Sequence, residues 1–121
     1  MSGQPMNEQL VLELYTRDIQ ASVAFYRRFG FRLLSETPNF VELGWDQAQI
    51  YLEELPDAPE PGGRLVGNVR VLVPDVDRYW VLARELGCTV IRPIEDRYYG
   101  LRDFTIAGPD GVGLRFASRL G

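Results

Sequence analysis

The feature that most constrains the fold is a sequence repeat within the chain. Residues 10–31 (LVLELYTRDIQASVAFYRRFGF) align without gaps on residues 67–88 (GNVRVLVPDVDRYWVLARELGC). Each copy predicts an alternating strand, then a helix of about twelve residues with an aspartate before it and a glycine after it. The residues at these ends are Asp18 and Asp75 before the helices and Gly30 and Gly87 after them. The repeat therefore predicts two copies of one structural module.

Each copy continues into three further short strands. The hydrophobic alternation and the turn residues place them at 31–36, 39–44 and 48–54 in the first copy, and at 89–94, 101–107 and 112–118 in the second. The predicted class is α+β, with two βαβββ modules at about 9–55 and 67–118. A linker at about 56–66, which contains PDAPEPGG, is expected between them. Together the modules are expected to form a single domain over residues 1–121.

Period-two alternation sorts the residues of each strand onto two faces of the sheet. The aliphatic set, which includes Leu12, Leu14, Val69 and Val71, is expected to face the helices. The opposite face carries aromatic and charged side chains, namely Glu13, Tyr15, Phe40, Glu42, Tyr51, Glu53, Arg70, Asp103 and Arg115. Such a face is typical of a solvent-exposed sheet and equally of a ligand cleft, and the pattern leaves both interpretations open.

Composition narrows the classes of function. The chain has no histidine, which is the commonest neutral metal ligand and the usual general base, although carboxylates alone can also bind a metal ion. Its one cysteine, Cys88, precludes an internal disulfide and fits a reducing compartment. The net charge of −4 argues against nucleic acid as a partner, and no apolar run is long enough for a membrane helix. We therefore expect a cytoplasmic protein without nucleic-acid or membrane partners.

Two segments carry a resemblance to a known family. RDIQASVAFYRRFGF (17–31) and YYGLRDFTIAGPDGVGLRF (98–116) resemble the vicinal oxygen chelate superfamily, which includes glyoxalase I, the extradiol dioxygenases and the bleomycin resistance proteins. The likeness extends over about residues 9–118, although Gly108 stands where the family turn has an aspartate. The resemblance implies two βαβββ modules that form a cupped mixed sheet around a cleft, with the helices on the outer face.

The resemblance also implies where a metal ion would bind. Metal-using members have His, Glu or Gln at four cleft positions, and these correspond here to Val11, Tyr51, Asn68 and Arg115. None of the four is an ordinary ligand for a divalent cation, and the Arg115 guanidinium would repel one. We therefore expect neither a metal ion nor another cofactor. A shifted site built from the carboxylates of Glu13, Glu42, Glu53 and Asp103 is left open.

The missing metal ligands favour a non-enzymatic, metal-free protein that sequesters an antibiotic-like small molecule, in the manner that the resemblance to bleomycin resistance proteins implies. The predicted ligand-binding residues are Glu13, Phe40, Glu42, Tyr51, Glu53, Asn68, Arg70, Tyr99, Asp103 and Arg115. Aromatic rings for stacking and carboxylates for charge matching suggest a cationic aromatic ligand. An anionic or zwitterionic ligand clamped by Arg115 is the variant.

Two other functions are weighed against this prediction. One is a metal-dependent lyase, isomerase or dioxygenase of the same superfamily, which needs open coordination positions on a bound ion. The other is a non-catalytic interaction protein whose cleft binds no small molecule. The resemblance further implies a homodimer.

Overall fold

A computed structural model describes residues 10–60 and 64–121, which fall into two compact units, one before and one after residues 61–63. The first unit contains β1 (Leu12–Thr16), α1 (Ile19–Arg28), β2 (Arg32–Thr37), β3 (Phe40–Trp45) and β4 (Ala48–Glu54). The second unit contains β5 (Gly67–Leu72), α2 (Val76–Glu85), β6 (Val90–Asp96), β7 (Leu101–Ala107) and β8 (Val112–Arg119). Both units have the order βαβββ, which confirms the predicted α+β class and its two modules.

Each unit has one four-stranded mixed sheet. The strand order is β1-β4-β3-β2 in the first sheet and β5-β8-β7-β6 in the second. The first strand of each module pairs in parallel with the last strand, and the remaining pairs are antiparallel. The last strand of each module consequently lies inside its sheet, between two neighbours. This position places Arg115, in the middle of β8, near the centre of the second sheet.

The two helices begin in different ways, although both follow an aspartate. Asp18 caps α1 through its side chain, which accepts a hydrogen bond from the Ala21 amide at 3.1 Å. Asp75 makes no such bond, so the expectation that both aspartates act as caps holds only for the first helix. The first amide of α2, that of Val76, instead donates to the Ser118 hydroxyl at 2.8 Å. The last strand of the second module therefore supplies the cap.

Glycines follow both helices, as the repeat predicts. The C-cap residues are Phe29 and Leu86, and the next residues are Gly30 and Gly87. Both glycines have positive φ angles, +111° and +70° respectively. An L-residue with a side chain is disfavoured in this left-handed region, so glycine is suited to reversing the chain here. Neither described helix is long and apolar enough to span a lipid bilayer.

The core of each unit lies between its helix and the aliphatic face of its sheet. In the first unit the buried strand residues include Leu14, Val41, Leu43, Ile50 and Leu52. In the second unit they include Val71, Phe104, Ile106, Leu114 and Phe116. The predicted sorting of the two faces is thereby confirmed, apart from Leu12, which is 44% exposed at the start of β1.

Candidate ligand-binding site

Four of the predicted site residues share the mixed face of the second sheet. Strand register pairs Arg70 with Arg115 and pairs Thr105 with Arg115. Asp103 lies two residues before Thr105, and Asn68 lies two residues before Arg70, so the alternation of side chains puts them on the same face. The sheet therefore gathers polar groups from β5, β7 and β8.

Asp103 is the centre of a buried hydrogen-bond network. Its carboxylate is fully buried and accepts hydrogen bonds from Arg97 Nε at 2.8 Å and from Arg115 Nη2 at 2.6 Å. The Tyr99 hydroxyl also donates to this carboxylate, at 2.8 Å. All three donors are thus fixed by one acceptor. Asp103, which is one of the predicted ligand-binding residues, therefore orients Arg97, Arg115 and Tyr99.

The network also fixes the charge of Asp103. Burial by itself would raise the pKa of this carboxyl, but hydrogen bonds from Arg115, Arg97 and Tyr99 outweigh it and lower the pKa below its ordinary value of 3.8. The hydrogen bond to Asp103 in turn raises the pKa of Arg97. The Asp103 carboxylate and the Arg97 guanidinium are therefore both ionised at neutral pH.

Tyr99 belongs to the turn between β6 and β7. The turn is closed by the Arg97 amide, which donates to the Leu101 carbonyl at 2.7 Å. Arg115 donates to the Tyr99 hydroxyl, and its guanidinium carbon lies 5.6 Å from the centre of the Tyr99 ring. Tyr98 packs edge-on against Tyr99, with 5.1 Å between the ring centres, and its side chain is fully exposed. The turn thus brings two aromatic rings to the edge of the polar face.

A cavity of about 550 Å³ opens on this face. Its lining includes Arg70, Arg92, Arg115, Arg119, Tyr98 and Tyr99. A volume in this range suits a small organic ligand. The lining is basic and aromatic, and its positive charges come from three different strands.

Two of the arginines that line the cavity, Arg92 and Arg119, were not among the site residues predicted from the sequence. Arg119 could have been found, because the alternation that begins at Arg115 and continues through Ala117 reaches it on the same face. Arg92 could not, because the pairing of β6 with β7 shifts register on both sides of it. Irregular pairing of this kind is not visible in a hydrophobic pattern.

The other five predicted residues lie on the mixed face of the first sheet: Glu13, Phe40, Glu42, Tyr51 and Glu53. Phe40 and Tyr51 contact each other edge to face, with ring centres 5.5 Å apart. Burial and a hydrogen bond shared with Glu53 raise the pKa of the Glu13 carboxyl above its ordinary value. The predicted set thus divides into an acidic, aromatic group in the first unit and a mainly basic group in the second.

The residues at the implied metal positions do not fit a divalent cation. The Arg115 guanidinium bonds to Asp103, and Tyr51 and Asn68 supply no anionic ligand. The shifted carboxylate site gains no support, because Asp103 is already engaged by Arg97, Arg115 and Tyr99. Within residues 10–60 and 64–121, no group of three or more cysteine, aspartate or glutamate side chains could hold a metal ion.

Arg102, next to Asp103 in the chain, belongs to a separate network. It donates to both carboxylate oxygens of Asp77, at 3.0 and 3.1 Å, and to Asp96 at 3.1 Å. These bonds connect β7 to α2 and to β6 on the helix side of the sheet. Arg102 therefore has a structural role, and it lies outside the cavity lining.

Solved structures with the same fold are numerous. The chain is similar to a glyoxalase/bleomycin resistance protein/dioxygenase from Nocardioides, with 25% identity, a TM-score of 0.76, and 99% of this chain and 87% of that chain covered. TioX from Micromonospora sp. ML1 is 26% identical, with a TM-score of 0.77 and coverage of 92% and 98%. A bleomycin-binding protein complexed with bleomycin is 18% identical, with a TM-score of 0.70 and coverage of 93% and 98%, a likeness that shows the fold alone.

No curated protein matches the chain in sequence. A family model does match it, over residues 9–116, which is most of its length and includes both modules. The matched range contains the segments that suggested the resemblance and every residue of the candidate site in the second unit except Arg119. The chain therefore belongs to the Glyoxalase/Bleomycin resistance protein/Dioxygenase superfamily.

Proposed function

We propose that this protein binds and sequesters an aromatic, antibiotic-like small molecule without a metal ion, in the manner of bleomycin resistance proteins. The observation that supports the proposal is the cavity in the second unit, whose lining includes Tyr98 and Tyr99. Aromatic rings beside charged groups bind organic ligands through stacking and charge matching, with no catalytic group required. The fold alone does not decide the matter, because the superfamily also includes glyoxalases and dioxygenases.

The proposal that the protein is not an enzyme depends on the residues at the implied metal-ligand positions. Chelation of vicinal oxygens needs a metal ion with open coordination positions. In this chain one implied position carries Arg115, whose guanidinium is bonded to a buried carboxylate, and the sequence has no histidine. Sequestration by contrast needs only a lined cavity. Localisation in the cytoplasm and assembly as a homodimer belong to the same proposal.

A thermal-shift titration tests the proposal. One arm contains Mn²⁺, Ni²⁺ or Zn²⁺, and the other contains a metal-free bleomycin-type glycopeptide or an aromatic organic ion. A ligand that binds only the folded protein adds about 2.7 kcal/mol of stability at a hundred times its Kd. We expect an organic ligand to raise Tm and the metal ions to leave it unchanged. A rise with a metal ion and none with any organic compound would contradict the proposal.

A further inference from the structure

Three arginines form a row across the second sheet. Arg70 on β5 is paired with Arg115 on β8, Arg115 with Thr105 on β7, and Thr105 with Arg92 on β6. We call Arg70, Arg115 and Arg92 the arginine row. Neighbouring strands lie about 4.8 Å apart, so Arg70 and Arg115 place like charges side by side. Such neighbours repel and destabilise a sheet, and packing gives no reason for the row.

Most of this positive charge has no counter-charge among the residues that the structure describes. Arg115 is paired with Asp103. Arg70, Arg92 and Arg119 form no ion pair with any carboxylate in the two described parts of the chain. All three line the 550 Å³ cavity. The cavity therefore presents uncompensated positive charge to whatever enters it.

A second cavity of about 270 Å³ continues the first along the sheet. Arg92 and Arg115 line both cavities, whereas Arg70, the third member of the arginine row, lines only the larger one. The lining of the smaller cavity also includes the apolar side chains of Leu65, Val66 and Ile91. The larger cavity thus has aromatic side chains beside the arginines, and the smaller cavity has aliphatic ones.

We propose that the arginine row binds the acidic group of an aromatic organic acid. The inference rests on the proposed function and specifies its ligand class. The carboxylate, sulfonate or phosphate lies between Arg70 and Arg92, where guanidinium groups donate charge-assisted hydrogen bonds. The aromatic ring packs against Tyr98 and Tyr99, and apolar substituents extend toward Leu65 and Ile91. A cationic ligand is repelled from the same place.

The experiment uses two probes that share one ring system and differ in charge. They are 2-naphthoate, an anion, and 2-naphthylmethylammonium, a cation, and their binding to the full-length protein is measured by isothermal titration calorimetry. We expect naphthoate to bind and the cation to bind at least about tenfold more weakly, since a charge-assisted hydrogen bond accounts for about a factor of ten in affinity. Added NaCl should weaken naphthoate binding, because salt screens exposed charges.

Glutamine substitutions test whether naphthoate binds at the arginine row. Arg70→Gln and Arg92→Gln should each weaken naphthoate binding by about tenfold. Arg78→Gln is the matched control, because Arg78 is an exposed arginine on α2 outside both cavities and its loss changes the net charge equally. Arg70→Gln should not lower Tm, since Arg70 is exposed and has a like charge beside it. Loss of affinity without loss of Tm excludes misfolding as the cause.

The outcomes separate the inference from the proposed function. Equal or tighter binding of the cation, or equal effects of Arg78→Gln and Arg92→Gln, would overturn the inference and leave small-molecule binding intact. Binding of the glycopeptide without binding of naphthoate would also overturn the inference and leave small-molecule binding intact. If naphthoate, the cation and the glycopeptide all fail to bind, both the inference and the proposed function are wrong.

Discussion

At the scale of single residues, Asp103 determines the geometry of the basic face. Its buried carboxylate is shared by Arg97, Arg115 and Tyr99, which lie on β8 and in or next to the β6–β7 turn. A carboxylate without these donors would be unstable in the core, and the two guanidiniums would lack a buried counter-charge. The site is therefore built by one ionised group that does not reach the cavity.

Asp103→Asn removes this charge while nearly preserving the shape of the side chain. We expect a loss of about 3 kcal/mol in the free energy of unfolding, because the largely buried Arg115 loses its counter-charge and Arg97 keeps only the exposed Glu95. Asp77→Asn is the control: Asp77 also pairs with an arginine but is mostly exposed, so we expect a loss of about 0.5 kcal/mol. Urea denaturation measures both. Similar losses for the two variants would contradict a special role for Asp103.

At the scale of elements, the two modules use the same order of strands and helix but different local chemistry. The amide of Ile19 at the start of α1 donates to Glu54 Oε2 at 2.9 Å, and that of Val76 at the start of α2 donates to Ser118. In both modules the end of the last strand satisfies the first helical amide. Only the first module adds the aspartate cap. Equivalent positions in a repeat therefore need not perform equivalent roles.

A pair of alanine substitutions tests this difference. Asp18→Ala removes an acceptor from the Ala21 amide and should lower the free energy of unfolding by about 1 kcal/mol. Asp75→Ala removes no cap bond and should lower it by about 0.3 kcal/mol, the remaining effect of a negative charge near a helix N-terminus. Denaturant titrations measure both variants. A larger loss for Asp75→Ala than for Asp18→Ala would show that Asp75, and not Asp18, is the stabilising N-cap.

At the scale of the whole molecule, net charge is a poor guide to the ligand. The total of −4 suggests an affinity for cations. The structure instead separates the signs, with Glu13, Glu42 and Glu53 on the first sheet and the arginine row on the second. A ligand responds to the charges that line its own cavity. The local field of the second unit is thus opposite in sign to the overall charge.

The pH dependence of stability is also a property of the whole molecule. Asp103 has a lowered pKa in the folded protein, so its contribution is complete above the ordinary value of 3.8 and is lost as pH falls toward the folded-state pKa. Asp77, held by Arg102, contributes in the same direction. We expect these two carboxylates to decrease the free energy of unfolding as pH falls below about 4, whereas Glu13, whose pKa is raised, changes it in the opposite direction at higher pH. Asp103→Asn should flatten this decrease, and denaturation at a series of pH values measures it. An unchanged slope would contradict the assignment.

The internal repeat and the hydrophobic periodicity predicted the two βαβββ modules, the glycines after the helices and the aliphatic faces of the sheets. These features are local or periodic: each helix ends just before a glycine, Gly30 or Gly87, and alternation within a strand fixes which side chains share a face. Alternation also predicted that Arg70, Asp103 and Arg115 share the mixed face. The same alternation placed Asn68 on that face, and Tyr99 was predicted because it corresponds to an aromatic residue of the family that the chain resembles.

Which of these polar residues contact one another depends on the packing of elements that are distant in the chain. Burial of Asp103 beneath Arg97, Arg115 and Tyr99 depends on how β7, β8 and a turn pack together. The arginine row depends on the register of four strands, including the irregular pairing around Arg92. Pairing between strands distant in the chain is set by packing and turn geometry, and the alternation within one strand carries no information about its partner's register.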